Sequence, residues 1–284
     1  MPPFVRERIR TDDQDFLDLD WIINDSNSLV ILSHGLEGNS TRAYIKGMAR
    51  AFSAKGFDIL AWNYRGCSGE MNQSLRFYHS GATDDLHRII MHSLKKGYQK
   101  IYLIGFSLGG NLTLKYLGDM GKQVNHEIKK AVAFSVPMDL YSSCTQLSKK
   151  ENWLYAFRFL KNLKRKVIDK SKIRNDLSIG KIDEIKTLIE FDDTYTAPIH
   201  GFKNAIDYYT QCSSIYVLEN IQVPTLIVNA QNDPFLSLSC FPDKQYKQVR
   251  LEYPKHGGHV GFSLFNQNGL YWSELRALHF IHND

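Results

Sequence analysis

"KIYLIGFSLGGNLTLKYLG", residues 100–118, runs from an apolar stretch through a glycine-flanked serine directly into a second apolar pattern of helical spacing. Within it "GFSLG", Gly105 to Gly109, fits G-x-S-x-G, a turn in which a strand becomes a helix with almost no loop between them. The serine then takes a strained backbone conformation that exposes its hydroxyl, and small neighbours keep the turn from colliding with itself. At the start of the following helix the backbone N–H of Leu108 is free to face developing negative charge, which the local dipole also favours. Ser107 is therefore placed as a nucleophile, although small residues also serve close strand–helix packing.

Working outward, short β-rich runs alternate with longer helical patterns. Candidate strands are Phe16 to Trp21, Leu29 to Ser33, Ile59 to Asn63, Ile101 to Gly105, Ala131 to Ser135, Thr225 to Val228 and Val249 to Tyr253. Helical spacing marks Tyr44 to Lys55, Thr83 to Lys96, Leu108 to Leu117 and Tyr271 to Ile281. Such alternation predicts an α/β fold, a mostly parallel sheet with helices on both faces, joined by right-handed crossovers. The rhythm breaks between Met138 and Gln222, where Trp153, Phe157, Leu160, Leu163 and Val167 recur at helical spacing without a buried strand. Residues 1–137 and 223–284 are expected to form one core, and 138–222 a helical insertion in it, which the resemblance named below makes a cap.

A serine hydroxyl needs a positioned base, and the base needs a group that fixes its tautomer. Both partners occur later in the chain. Asp233, in "NAQNDPF", follows a predicted strand, so its carboxylate lies at a strand's carboxyl end, where sites in such sheets are built. Asp-Pro is also an ordinary turn opener, and Asp139, after the preceding strand, competes for the role of acid. His259, in the glycine-rich "KHGGHVGF", is the preferred base; His256 competes with it. Together the two histidines make H-x-x-H, but a flexible Gly-Gly loop without a third ligand is a poor metal site, and no metal or cofactor is expected. Upstream, "LSHGLEG", residues 32–38, ends another strand and offers the N–H of Leu36 as a second oxyanion donor. His34 is expected to order that loop, and Glu37 to be a solvated charge.

Further matches cover nearly the whole chain: "DFLDLDW" at 15–21, "SHGLEGNS" at 33–40, "NYRGCSGEMN" at 63–72, "YHSGATDDL" at 78–86, "FDDTYTAPIHGF" at 191–202, "VPTLIVNAQNDPF" at 223–235 and "HGGHVGF" at 256–262. With "GFSLGGNLTLKYLG" at 105–118, these blocks make the sequence resemble the YheT-like branch of the α/β-hydrolases. The resemblance implies a capped ester hydrolase acting on carboxylic or lipid-like esters. It places the nucleophile on Ser107, the acid on Asp233 and the base on His259. The "RGCSG" block is expected at the pocket rim, with Cys67 a packed thiol, and Asp84 and Asp85 are expected to favour a helix start. Acyl transfer through the same triad, and an inactive ligand-binding homologue, are the alternative functions.

Composition narrows the rest. At 284 residues, 43% hydrophobic and 23% charged, the chain is an ordinary globular one. It has no apolar run long enough to cross a bilayer and no secretory h-region at its start. Its four cysteines form no CxxC pair, which fits a reducing cytoplasm. The net charge of +5 owes much to "RFLKNLKRKVIDKSKIR", residues 158–174. Trp153, Phe157 and Leu160 are the candidate acyl-pocket residues, with Arg158, Lys161, Lys164, Arg165 and Lys166 opposite them as a face for weak contact with an anionic membrane. Nucleic acid is not an expected partner, because no recognition motif accompanies the charge. The oligomeric state is not readable.

Overall fold

The structure, a computed structural model, describes residues 3–265 and 269–283. Its sheet has the strands β1 (Val5–Arg10), β2 (Phe16–Ile22), β3 (Ser28–Ser33), β4 (Asp58–Asn63), β5 (Lys100–Phe106), β6 (Ile128–Phe134), β7 (Thr225–Val228) and β8 (Val249–Glu252), in the order β1-β2-β4-β3-β5-β6-β7-β8. From β4 to β8 all neighbours are parallel, while β1–β2 and β2–β4 pair antiparallel. This is an α/β fold built on a mostly parallel sheet, as the strand and helix rhythm predicts.

The inner strands read as unbroken apolar runs because both faces are covered. On β3, Leu29 and Ile31 join one core with Leu86, Ile89 and Ile90 of α2 (Thr83–Lys95) and Leu112 and Leu117 of α3 (Leu108–Met120). Val30 and Leu32 point the other way, to Ile45, Met48 and Phe52 of α1 (Ala43–Ser53). Strand β1 escapes the sequence pattern because "VRERIR" is mostly charged. It is held at the sheet edge by cross-strand pairs, Arg6 with Asp20 and Arg8 with Asp18, at 2.7–2.9 Å.

Between β6 and β7 the chain is helical: α4 (Leu140–Leu147), α5 (Trp153–Ser171), α6 (Leu188–Phe191), a π-helical turn (Asp192–Thr196), α7 (Ala197–Ile199) and α8 (Ala205–Cys212). These elements bury two clusters, one around Leu160, Val167 and Phe191 that also takes in Phe77 and Phe235, another around Tyr208 and Tyr209. Polar ties bind them to the sheet. Lys170 Nζ donates to Asn72 Oδ1 (2.7 Å) and Ser74 O (2.7 Å), the Ser80 N–H donates to Tyr208 (3.0 Å), and Asn152 Nδ2 donates to Pro234 O (2.7 Å). The C-terminal helix α9 (Trp272–Asn283) returns to the α1 face, where Ala277, Phe280 and Ile281 are buried. Among the described residues no helix is long and apolar enough to cross a membrane.

Candidate active site

Strand β5 ends at Phe106 and α3 begins at Leu108, so the whole reversal falls on Ser107, whose φ of 54° and ψ of −120° lie outside the ordinary regions. Strain of this kind costs about 1–3 kcal/mol and persists only where the surroundings hold it. Here the packing explains both glycines. A Cβ on Gly105 would lie 2.3 Å from the Gly109 carbonyl oxygen, and one on Gly109 would lie 2.4 Å from that of Ser33. The serine hydroxyl is left at the carboxyl edge of the sheet, beside the loops that follow β3, β7 and β8.

His259 reaches it from the loop after β8, with Nε2 3.0 Å from Ser107 Oγ. Its Nδ1 lies 2.9 and 3.1 Å from the carboxylate oxygens of Asp233, whose side chain is fully buried. An acceptor at Nδ1 fixes the proton there and leaves the Nε2 lone pair facing the serine. The loop is pinned on both sides of the imidazole: the Gly258 N–H donates to Asn232 Oδ1 (2.9 Å), and the Val260 N–H to Ser135 Oγ (2.8 Å). Val260 and Ser135 both take positive φ, 64° and 53°, so the histidine is held by strained backbone as the serine is. His256 is exposed and takes no part in this relay. Among the described residues no cluster of three or more His, Cys, Asp or Glu is arranged to hold a metal ion.

Beyond β3, the Gly35 N–H donates to the Tyr44 hydroxyl (3.0 Å) and the Glu37 N–H to that of Tyr78 (2.9 Å). Between these two tied amides the N–H of Leu36 has no hydrogen-bond partner among the described residues, and neither has that of Leu108. His34 is buried against the Tyr64 ring, with Nδ1 2.8 Å from the Gly35 carbonyl and Nε2 accepting from the Tyr64 N–H at 3.3 Å. Burial pushes it down to about 3, so it stays neutral and braces the loop.

Ser107 and His259 stand between two spaces. An inner cavity of about 140 Å³ is walled by apolar side chains including Leu108, Leu140, Leu147, Phe159 and Leu163. An outer groove runs past Tyr155, Arg158, Pro234 and Tyr271. Both spaces also include Leu36 and Phe235 in their walls.

A family profile described as alpha/beta hydrolase fold matches residues 28–170. The Escherichia coli (strain K12) protein YheT is 33% identical over 266 residues, spanning 90% of this chain and 78% of its own. The chain belongs to the YheT-like branch of the α/β-hydrolases. Phospholipase ABHD3 of Bos taurus is 30% identical over 275 residues, 91% of this chain and 66% of the bovine protein. Among solved structures, the Pyrococcus furiosus esterase Pf2001 superposes with a TM-score of 0.63 at 17% identity, covering 98% of this chain and 91% of that one.

Against this α/β-hydrolase frame several expectations need correction. Trp153 and Phe157 are 63% and 58% exposed, and Leu160 is buried in a cluster with Val167, Phe191 and Phe77, so none of the three lines the inner cavity. Helix α5 has more than one apolar face, and the face toward Ser107 carries Phe159 and Leu163. Lys166 does not share the solvent face. Its Nζ lies 2.7 Å from Glu37 Oε1 and 3.1 Å from Cys67 Sγ, so Glu37 is a largely shielded ion-pair partner and not a solvated charge. Burial pushes the Cys67 thiol up to about 11, which keeps it unreactive at neutral pH. Arg65 is no rim residue: it is buried and paired with Asp85, Asp13 and Asp15. Asp139 caps α4, accepting from the Ser142 N–H at 3.1 Å.

Phe235 is one of the site residues that the sequence did not disclose. Its ring lies 4.3 Å from the His259 imidazole and 4.9 Å from Tyr155, and its N–H donates to Asp233 Oδ1 at 3.0 Å. Its position two residues beyond Asp233 was the available signal.

Proposed function

We propose that this chain is a serine-dependent carboxylic ester hydrolase, with residues 138–222 acting as a cap over Ser107, Asp233 and His259. The continuous Asp233–His259–Ser107 hydrogen-bond relay beside an apolar cavity carries this reading. Ser107 Oγ attacks the ester carbonyl as its proton passes to His259 Nε2, and the N–H groups of Leu36 and Leu108 hold the oxyanion. Asp233 stabilises the imidazolium without taking the proton. His259 then protonates the departing alkoxide, and the alcohol leaves through the outer groove. A water gives its proton to the same nitrogen and attacks the acyl carbon; the C–Oγ bond then breaks, Ser107 Oγ takes that proton back from His259, and the carboxylic acid leaves. The relatedness to a protein named as a phospholipase supports ester substrates of lipid type.

The inner cavity is close to the roughly 150 Å³ that holds a benzene-sized guest, so short acyl groups fit it without movement of the cap. Across p-nitrophenyl esters from acetate to palmitate, kcat/KM is expected to peak at about four to eight carbons and fall for the long chains. A fluorophosphonate probe should label Ser107. No turnover over the series together with no labelling would overturn the reading in favour of a ligand-binding homologue.

The exposed end of α5 adds a partner. Trp153, Leu154, Tyr155 and Phe157 are all at least half exposed next to the groove, and Arg158, Lys161 and Arg165 are exposed on the same helix. Aromatic and basic side chains presented together suit the surface of an anionic membrane, where ester lipids are found. In flotation with anionic vesicles at low salt the protein should associate, and Trp153→Ala with Phe157→Ala should weaken partitioning by roughly tenfold or more. Absence of flotation at low salt would remove the membrane from the account.

A further inference from the structure

The wall of the inner cavity that comes from the helical segment is not wholly apolar. Asp192 opens the π-helical turn in "FDDTYTAPIHGF" and lines the same cavity as Ser107 and His259. Its two carboxylate oxygens are engaged from within that segment. Thr196 Oγ1 donates to Oδ1 at 2.6 Å, and the Tyr209 hydroxyl donates to Oδ2 at 2.6 Å. Its neighbour Asp193 turns away to accept from the Ala205 N–H at 2.9 Å.

Among the described residues no lysine, arginine or histidine pairs with Asp192. Burial pushes it up to about 6, against the two hydroxyl donors that pull it down. A carboxylate offers about four acceptor positions, of which two are taken here. A plain alkyl chain packed against the remaining positions leaves a desolvated acceptor unpaired, which is costly. π-helical turns of this kind occur frequently at functional sites.

We propose that Asp192, positioned by Thr196 and Tyr209, is a specificity-determining residue that accepts a hydrogen bond from a hydroxyl or ammonium group on the part of the substrate that enters the cavity. The inference rests on the esterase reading for its substrate and deepens it: the preferred acyl group carries a donor. Elsewhere on the wall, Leu108, Leu140, Phe159 and Leu163 offer only apolar contact.

The test compares p-nitrophenyl esters of one short chain length in three forms: plain, ω-hydroxy and ω-ammonio. The unmodified protein should favour one or both donor-bearing esters over the plain ester by roughly 10- to 100-fold in kcat/KM, the range of a hydrogen bond to a charged group. The preferred form tells hydroxyl from ammonium. Asp192→Leu should lower the donor-to-plain ratio at least tenfold, and Asp192→Asn, which keeps the shape if the leucine variant fails to fold, should lower it by less. Tyr209→Phe removes one of the two bonds that position the carboxylate and should lower the ratio, by less than Asp192→Leu does. A purely structural Asp192 would change total activity and leave the ratio unmoved. A wild-type preference for the plain ester, or an equal ratio in wild type and both Asp192 variants, overturns the proposal. Because esterase activity is itself proposed, Ser107→Ala protein is titrated with the matching ω-hydroxy, ω-ammonio and plain carboxylic acid amides. Tighter binding of a donor-bearing amide, weakened when Asp192→Asn is added and lost when Asp192→Leu is added, sustains the subsite even if no ester is turned over, and equal binding of all three rejects it.

Discussion

Ser107→Ala is expected to lower kcat/KM for a short p-nitrophenyl ester by roughly 10⁴- to 10⁶-fold and to leave the thermal midpoint nearly unchanged. The size of the loss follows from the relay. With Oγ gone, His259 has no hydroxyl to deprotonate, and only the cavity and the two oxyanion amides are left to assist water. Stability should not suffer, because the substitution removes one partly exposed hydroxyl and leaves a strained backbone that alanine tolerates no better than serine does. His259→Ala should fall to a similar floor. The double variant should fall little further, since a nucleophile and base that act as one unit are not additive. The measurement is steady-state hydrolysis of the three variants beside the parent. A double variant whose loss equals the product of the single losses would mean that the two residues act independently, and the proposed relay would be wrong.

The parts of this protein legible in its sequence are those where one physical demand dominates. The central strands show because burial on both faces leaves no room for polar residues, as in Leu29 to Leu32. Ser107 shows because a turn on one residue forces glycine at 105 and 109 by direct collision. His259 and Asp233 could be singled out because each follows a strand at the sheet's carboxyl edge, and the geometry brings the three together. What stayed hidden depends on contacts between segments distant in the chain. The apolar spacing of α5 is satisfied by more than one face, and which face meets Ser107 is decided by how the helix docks through Lys166 on Glu37 and Lys170 on the Asn72–Ser74 loop. Charge carried a similar ambiguity. Glu37, Lys166 and Arg65 look like solvent-facing residues until their partners, 129 and 20 positions away in two of the cases, are placed beside them. Strand β1 failed the apolar test for the same reason, since its stability lies in ion pairs with β2.

Arg65→Met is expected to destabilise the fold by about 3–5 kcal/mol, the range for removing one member of a buried ionic group. The guanidinium is 2% exposed and meets three carboxylates: Asp85 through two bonds of 2.8 Å, Asp13 at 2.8 Å and Asp15 at 3.2 Å. Methionine can fill the space but leaves Asp15 and Asp85 buried without their cation. Arg65→Lys should recover only part of the loss, because an ammonium cannot make the two-pronged contact to Asp85. The pH dependence follows from the carboxylates. Burial raises Asp15, but hydrogen bonds from Ser74, Asn72 and Gln73 outweigh it and hold the group well below the usual range; Asp13 is also lowered. Such groups stabilise the fold above their unfolded value of about 3.9 and lose that contribution as pH falls toward the folded one. Asp85 is raised by burial in spite of Arg65, so in the methionine variant it takes up a proton more readily still. The gap between parent and variant in urea unfolding should therefore narrow as pH drops from 7 toward 4, and a gap that widened would reverse the assignment. The damage should extend to the site. Asp15 also receives Asn72 Nδ2 at 2.7 Å and the Ser74 hydroxyl at 2.6 Å, and that same loop accepts Lys170 of α5. Loosening Asp15 thus loosens the helix that carries Phe159 and Leu163 into the cavity. Arg65→Met should blunt acyl-length selectivity under conditions where most of the protein is still folded, and unchanged selectivity would confine Arg65 to the core.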